Sequence, residues 1–240
     1  MNAFRLRQLQ SIDELKRCSA AWDDLWLRSE TATPGARADM VVLWDQDFGP
    51  ASIFRALVVE QNDRMVAALP LVDRRLKKLV TVGSLPCNCW ATGGALLLDP
   101  TVDVPAVLDC LVSAIPNLPW PLVWLDQVPF EQPHWREFRG AVERAGLSVS
   151  TREHYQVGMV EVGNDWESFK AKMKGDHRRK LGRQVRKLGE LGDVEFRVHK
   201  EIAPDDVRPL LALGFEVEDR SWKGAEGTSV LKNPDIFEHY

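Results

Sequence analysis

The chain has 240 residues, 45% of them hydrophobic and 28% charged, a balance that supports a folded core and excludes wholesale disorder. No apolar run is long enough for a transmembrane helix, and the opening MNAFRLRQLQSIDELK has no apolar core for a signal peptide. With 31 basic against 35 acidic residues the net charge is −4, which argues against general coating of nucleic acid.

In chain order, Phe4–Leu9 reads as a strand and is followed by a helix. Ser11 and Glu14 form a capping box, and Leu15, Cys18, Trp22, Leu25 and Trp26 recur on one apolar face ending near Ser29. Pro34 and Gly35 mark Thr31–Ala38 as a loop, and Met40–Phe48 as a short helix follows it. Ser52–Glu60 and Arg64–Val72 predict a hairpin across the turn chemistry of Gln61–Asn62–Asp63. Leu79–Val82 adds a third strand, Leu85–Gly94 a loop, and Ala95–Leu98 a further strand. Pro105 opens a helix to about Ile115, Val123–Asp126 reads as a buried strand, and His134–Ala145 as an amphipathic helix closed by Gly146. Leu147–Arg152 completes a mixed α/β domain over residues 1–154.

A second unit, 155–240, begins near Tyr155. Val157–Val162 predicts a strand, Asn164 an N-cap with Glu167 at the third position, and two helices follow on either side of Gly175–Asp176, the second reaching Leu188. Val194–His199 reads as a strand, and Pro204 opens a long helix to Trp222. Asn233 and Pro234 start a last helix. With one strand after the basic helix, this unit is expected to be incomplete.

Two constellations carry chemistry. Nine basic residues and a single acid, Asp176, fall between Lys170 and Lys187. Trp166, Phe169, Met173, Leu181 and Val185 take the core-facing stripes, which leaves Arg178, Arg179 and Arg183 outward. Guanidinium forks suit phosphate and carboxylate oxygens, so these three are candidate anion-binding residues; a solvated face with no ligand fits the pattern equally. No aromatic platform is interleaved with the charges, so no nucleic acid is expected. The second constellation is Glu218–Thr228. Val207, Leu211 and Gly214 mark a stripe that continues to Glu218 and Trp222, and a carboxylate on such a stripe either finds a cation or serves proton transfer. The same residues also fit an ordinary helix end, with Trp222 packing, Lys223 complementing the dipole and Gly224 capping.

The run Glu218-Asp-Arg-Ser-Trp222-Lys-Gly-Ala-Glu-Gly227-Thr228 resembles the E-x-x-G-W-K-G-x-x-G-T signature of the cellulose-biosynthesis CelD-type branch of the GNAT acetyltransferases, with Ser221 where that family has Gly. His177–Leu188 followed by Gly192-Asp-Val194 is similar to its basic helix and next strand, and Trp22, Leu25, Trp44 and Leu69-Pro70-Leu71 fit its N-terminal part. The resemblance implies an α/β chain of tandem GNAT-like domains, related to the FemAB-type aminoacyl transferases, with the second domain truncated. It implies acyl transfer from acetyl-CoA or another acyl-CoA to an amine or hydroxyl acceptor, a small molecule or glycan, in bacterial envelope or exopolysaccharide synthesis. Glu218 is then the candidate base or acceptor-positioning residue, Trp222 shapes the pocket, and Lys223 contacts an anionic group. Rival readings are a non-catalytic module for an anionic glycan or nucleotide-sugar, and a FemAB-like aminoacyl transferase using charged tRNA. The 240 residues are expected to turn over little by themselves and to self-associate.

Other sites are weaker. Cys87-Asn88-Cys89 is too closely spaced for a zinc pair, and no partner pair stands at zinc spacing, so no metal is expected. Cys18 and Cys110 add no disulfide framework, which makes the cytoplasm the expected compartment. The five histidines are dispersed, and no nucleotide loop or nucleophile elbow is present. Trp90, Trp120, Trp124 and Trp135 are read as core, with Trp90 as a residue that could line a cleft.

Overall fold

Apolar residues at consecutive positions, as in Ala56–Val59 and Met65–Leu69, suit a strand only when both of its faces are covered. The computed structural model describes residues 4–30, 33–49, 53–91, 93–154, 156–158, 160, 163 and 165–240, and it shows that arrangement. Strands β1 (Arg5–Leu9), β2 (Phe54–Gln61), β3 (Arg64–Leu76), β4 (Val80–Ser84) and β5 (Leu97–Leu98) form one antiparallel sheet. Its order is β1-β2-β3-β4, with β5 also beside β3. The β2–β3 hairpin turns through Asn62 and Asp63, both at positive φ, a conformation Asn and Asp tolerate at small cost. Pro70 lies in β3 between its pairings with β5 and with β4, so no strand on that side demands the N–H it lacks.

Helices cover both faces of the sheet. Helices α1 (Ile12–Arg17), α2 (Ser19–Arg28) and α3 (Ala38–Phe48) bury Leu15, Trp22, Leu25 and Val41 against Phe54, Ala56, Val58 and Ala68. Helices α4 (Val104–Val112) and α5 (Pro133–Arg144) bury Val107, Leu111, Phe138 and Ala141 against Leu57, Val59, Leu69 and Leu71. Local chemistry fixes the helix ends. Ser11 Oγ accepts the Glu14 N–H at 3.3 Å while Glu14 Oε2 accepts the Gln10 N–H at 2.7 Å. Asp103 caps α4 through the Ala106 N–H at 3.2 Å, and Gly146 takes φ 72° just after α5. The helix expected from Ser11 to Ser29 is two helices, broken at Cys18, whose N–H bonds back to Leu15 O at 3.0 Å.

The chain divides into two compact units: Met1–Arg152 with Gly227–Tyr240, and Glu153–Glu226. The C-terminal segment, read from sequence as part of the second unit, therefore belongs with the first. Helix α10 follows the second unit's helices in the chain and spans Pro234–His239. His239 Nδ1 lies 2.6 Å from Asp47 Oδ2, its ring 4.7 Å from that of Phe48, and the Tyr240 hydroxyl donates to Trp90 O at 3.0 Å.

The second unit holds α6 (Trp166–Lys172), α7 (Gly175–Gly189), α8 (Pro204–Asp219) and α9 (Trp222–Ala225). Asp165 caps α6, accepting the Glu167 and Ser168 N–H groups; Asn164 lies outside the described residues. None of the described residues of Glu153–Glu226 is buried, and none forms a strand. Several expected strands are corrected on this ground. Val194–His199 is irregular, with Phe196 90% exposed; of Val157–Val162, positions 159, 161 and 162 lie outside the described residues, and the others are in no strand. In the first unit, Leu147–Arg152 is also irregular, and Val123–Asp126 is not a buried strand. Val123 makes a single parallel bridge to Gly83, and Trp124 is exposed. An apolar run becomes a strand only when a neighbour offers its ladder; among the described residues Leu147–Arg152 and Val194–His199 meet none, and Val123–Asp126 meets β4 through Gly83.

Candidate functional site

The Glu218–Thr228 segment is not one helix end. Helix α8 stops at Asp219, and the expected continuation to Trp222 is corrected by Ser221. The Ser221 hydroxyl donates to Glu218 O at 2.6 Å, closing α8, and accepts the Lys223 N–H at 3.3 Å, opening α9. One side chain thus ends one helix and caps the next. The resulting bend folds Lys223 back so that its Nζ forms an ion pair with Glu218 Oε1. Glu218 sits with its side chain 21% exposed, Lys223 with 40%. The carboxylate on the stripe thus takes the first of its two routes and finds a cation. Gly224 passes so close to the Asp219 carbonyl oxygen that any Cβ there would collide with it, so the bend requires glycine. Trp222 does not pack in a core; it is 65% exposed beside the pair.

The basic helix is separate from this segment. Arg179 pairs with Asp176 one turn earlier, while Arg178 and Arg183 are exposed and make no ion pair with the described residues. Asp176, Arg179, Lys180, Arg183 and Arg186 line a shallow open depression along α7. No hydrogen bond or ion pair carries Arg178, Arg179 or Arg183 to Glu218 or Lys223. The core-facing stripe expected on α6 and α7 is corrected in part: Phe169, Met173 and Leu181 are half-buried, whereas Trp166, Val185 and Leu188 are half-exposed or more, with no sheet beneath them among the described residues. Reversing the charge of two cations, as in R178E/R183E, is expected to weaken binding of inorganic polyphosphate and to flatten its salt dependence by about two counterions. Titration calorimetry at two ionic strengths checks this, and equal affinity for both proteins would assign α7 to solvent alone.

A pyrophosphate-bearing donor such as acyl-CoA needs several backbone amides turned toward one anion. The described glycine-rich segments do not fit that need. A Cβ on Gly93 would lie 2.6 Å from Trp44 Cβ, one on Gly94 2.7 Å from Pro86 Cγ, and the Gly93 N–H is bonded to Pro86 O at 2.6 Å. These glycines serve packing. Gly224 lies within, and Gly227 just beyond, a helix of four residues. No donor cradle is therefore assigned among the described residues, and no step through the donor is derived.

In the Cys87–Cys89 loop, Asn88 Oδ1 accepts the Trp90 and Ala91 N–H groups, both at 2.8 Å, and burial pushes the Cys87 thiol up. Trp120 and Trp135 are buried as expected, whereas Trp124 is not. The described residues hold no group of three metal-ligating side chains and no helix long and apolar enough to cross a membrane. The sequence reading missed Ser221, whose signal was a helix-capping residue placed three positions after a carboxylate and just before a second short helical run.

The class of protein defined here is a mixed α/β chain whose antiparallel sheet lies between helices, joined to a helical unit that carries a paired Glu218 and Lys223. No protein-family model matches the sequence, and no curated protein does. Among solved structures, an aminoglycoside N-acetyltransferase, AAC(6')-Iy, in complex with CoA aligns over 67% of this chain and 97% of its own, at 9% identity and a TM-score of 0.40. A ribosomal-protein-alanine N-acetyltransferase from Brucella melitensis biovar Abortus 2308 aligns over 67% of this chain and 100% of its own, at 12% identity and a TM-score of 0.35. At such scores neither alignment bears on function.

Proposed function

We propose that the protein is a GNAT-type acyltransferase that handles an amine or hydroxyl acceptor at Glu218, Trp222 and Lys223, with acyl-CoA as donor. The supporting observation is the Glu218–Lys223 ion pair, held at the Ser221 bend inside the segment that resembles the acetyltransferase signature. In this reading Glu218 orients the acceptor and takes up its proton. Lys223 holds the Glu218 carboxylate and offers its charge to an anionic group of the acceptor, and Trp222 gives the acceptor an apolar wall. A glycan of envelope or exopolysaccharide synthesis and a cytoplasmic setting belong to the same proposal. The exposed Val185, Phe196, Val217 and Trp222 favour self-association of the chain.

Turnover by these 240 residues is expected to be slow. Water reaches Glu218 and Lys223 in a unit with no buried described residue, and each missing preorganised donor costs about two to three orders of magnitude in rate. The test is thiol release from acetyl-CoA with a panel of amines and amino sugars. A slow release that falls to the buffer rate in Glu218→Gln, with Lys223→Met raising KM for anionic acceptors, is the expected result. Release that is absent, or that survives Glu218→Gln unchanged, overturns the proposal.

A second reading is favoured by the unpaired Arg178 and Arg183: a module that binds an anionic glycan or nucleotide-sugar along α7 without turnover. Saturable binding of such a ligand without thiol release selects it.

A further inference from the structure

Two tight turns of the first unit place both central residues at positive φ, and they differ in chemistry. The β2–β3 turn uses Asn62 and Asp63, residues suited to that backbone. The β3–β4 turn, closed by the Leu79 N–H to Leu76 O at 2.9 Å, uses Lys77 at φ 47° and Lys78 at φ 62°. Lysine has no local hydrogen bond to offset the left-handed conformation, so these two cations are kept against the backbone's preference. They lie at the end of an arm. β3 pairs with β2 only as far as Val72, and beyond it Arg74–Leu76 and Val80–Val82 have only each other as ladder partners among the described residues.

The end of that arm joins charge to apolar surface. Leu79 is 85% exposed and Val80 46%, although Leu76–Val80 stands in a unit that buries most of the large apolar residues of its strands. Arg75, Lys77 and Lys78 are exposed and make no ion pair with the described residues; Arg74, nearer the base, is tied to Asp126 at 3.3 Å. Exposed cations next to exposed aliphatic side chains match one surface chemistry, a bilayer whose anionic headgroups meet the ammonium groups while the apolar tip enters beneath them. A nucleic acid rewards neither Leu79 nor Val80, and the tip has no aromatic side chain on which a base could stack.

We propose that the β3–β4 tip, Leu76–Val80, is a contact for the surface of an anionic lipid bilayer. The contact needs both halves of its chemistry. Lys77 and Lys78 supply attraction that salt screens, and Leu79 supplies insertion that salt does not. It does not depend on the acyl-transfer reading.

The test is co-sedimentation of the full chain with vesicles of phosphatidylcholine, and with vesicles of equal parts phosphatidylglycerol and phosphatidylcholine. Soluble heparin serves as a polyanion without an apolar layer. The wild-type chain is expected on the mixed vesicles and not on phosphatidylcholine alone. In K77N/K78G, which removes both charges but suits the left-handed turn better, vesicle affinity is expected to fall about thirtyfold while the melting temperature stays equal or rises. L79S is expected to lose about tenfold on vesicles and nothing on heparin. Absence of binding to mixed vesicles, binding unaffected by both variants, or equal loss of L79S on heparin would each overturn the proposal, the last in favour of a soluble polyanion.

Discussion

Replacing Trp22 by alanine is expected to cost the first unit about 3–5 kcal/mol, the range for truncating a fully buried aromatic. Trp22 has no exposed surface and packs among Leu25, Val41 and the inner residues of β2 and β3. Its Nε1–H also donates to Ala36 O at 2.9 Å, one of the bonds that tie the segment after α2 to the helix layer. Truncation therefore opens a cavity and strands a carbonyl together. Trp22→Phe separates them, since it fills most of the volume and gives up the hydrogen bond; its expected cost is about 1–2 kcal/mol. Urea midpoints followed by far-ultraviolet circular dichroism report both values. A loss below about 1 kcal/mol for the alanine variant would mean that the layer collapses over the gap.

Arg28→Met is expected to cost about 3–5 kcal/mol, since it leaves a buried carboxylate without its cation. Asp99 is 2% exposed and forms an ion pair with the Arg28 guanidinium, which also donates to Met65 O at 2.8 Å and to Asp24 at 3.0 Å. This fork joins the last turn of α2 to β3 and to the residue after β5. Arg28→Met/Asp99→Asn should recover much of the loss, because the charge left behind costs more than the pair gains. The same site sets the acid limit. Burial pushes the Asp99 carboxyl up, but bonds from Thr101 and the Arg28 charge outweigh it and hold it below its usual 3.8. A lowered carboxyl adds stability that is complete above the unfolded value and is lost as pH falls through the folded one. His134, pushed below its ordinary 6.5 by burial with Glu30 opposing, acts earlier. Its unfolded form binds a proton that the folded form refuses, so stability declines once pH drops below about 6.5. Two acid steps are expected in wild type, and the lower one should shrink in Arg28→Met.

Much of the first unit is legible in the sequence because its signals are local. Ser11 with Glu14, Asn62–Asp63, Pro105 and Gly146 each solve a backbone problem within a few residues of themselves. The candidate site was legible in part. Glu218, Trp222 and Lys223 are visible as a motif, yet their spacing on a continuous helix would line up Glu218 with Trp222, not with Lys223. Five residues apart, Glu218 and Lys223 meet only because Ser221 breaks the helix between them.

By itself, then, the sequence determines the helices with caps, the β2–β3 hairpin, and the apolar runs that need cover on two faces, since propensity, turn chemistry and side-chain period act over short distances. Tertiary structure decides which apolar runs become strands: among the described residues Leu147–Arg152 and Val194–His199 find no neighbour's ladder, and Val123–Asp126 finds a single bridge at Gly83. It also decides that Gly227–Tyr240 returns to the first unit, where His239 meets Asp47 and Phe48 across 192 residues of chain. No local pattern encodes that return. It rests on complementary surfaces that exist only once the α3 layer has formed, so the entropy of closing so long a loop is offset by packing the sequence does not display.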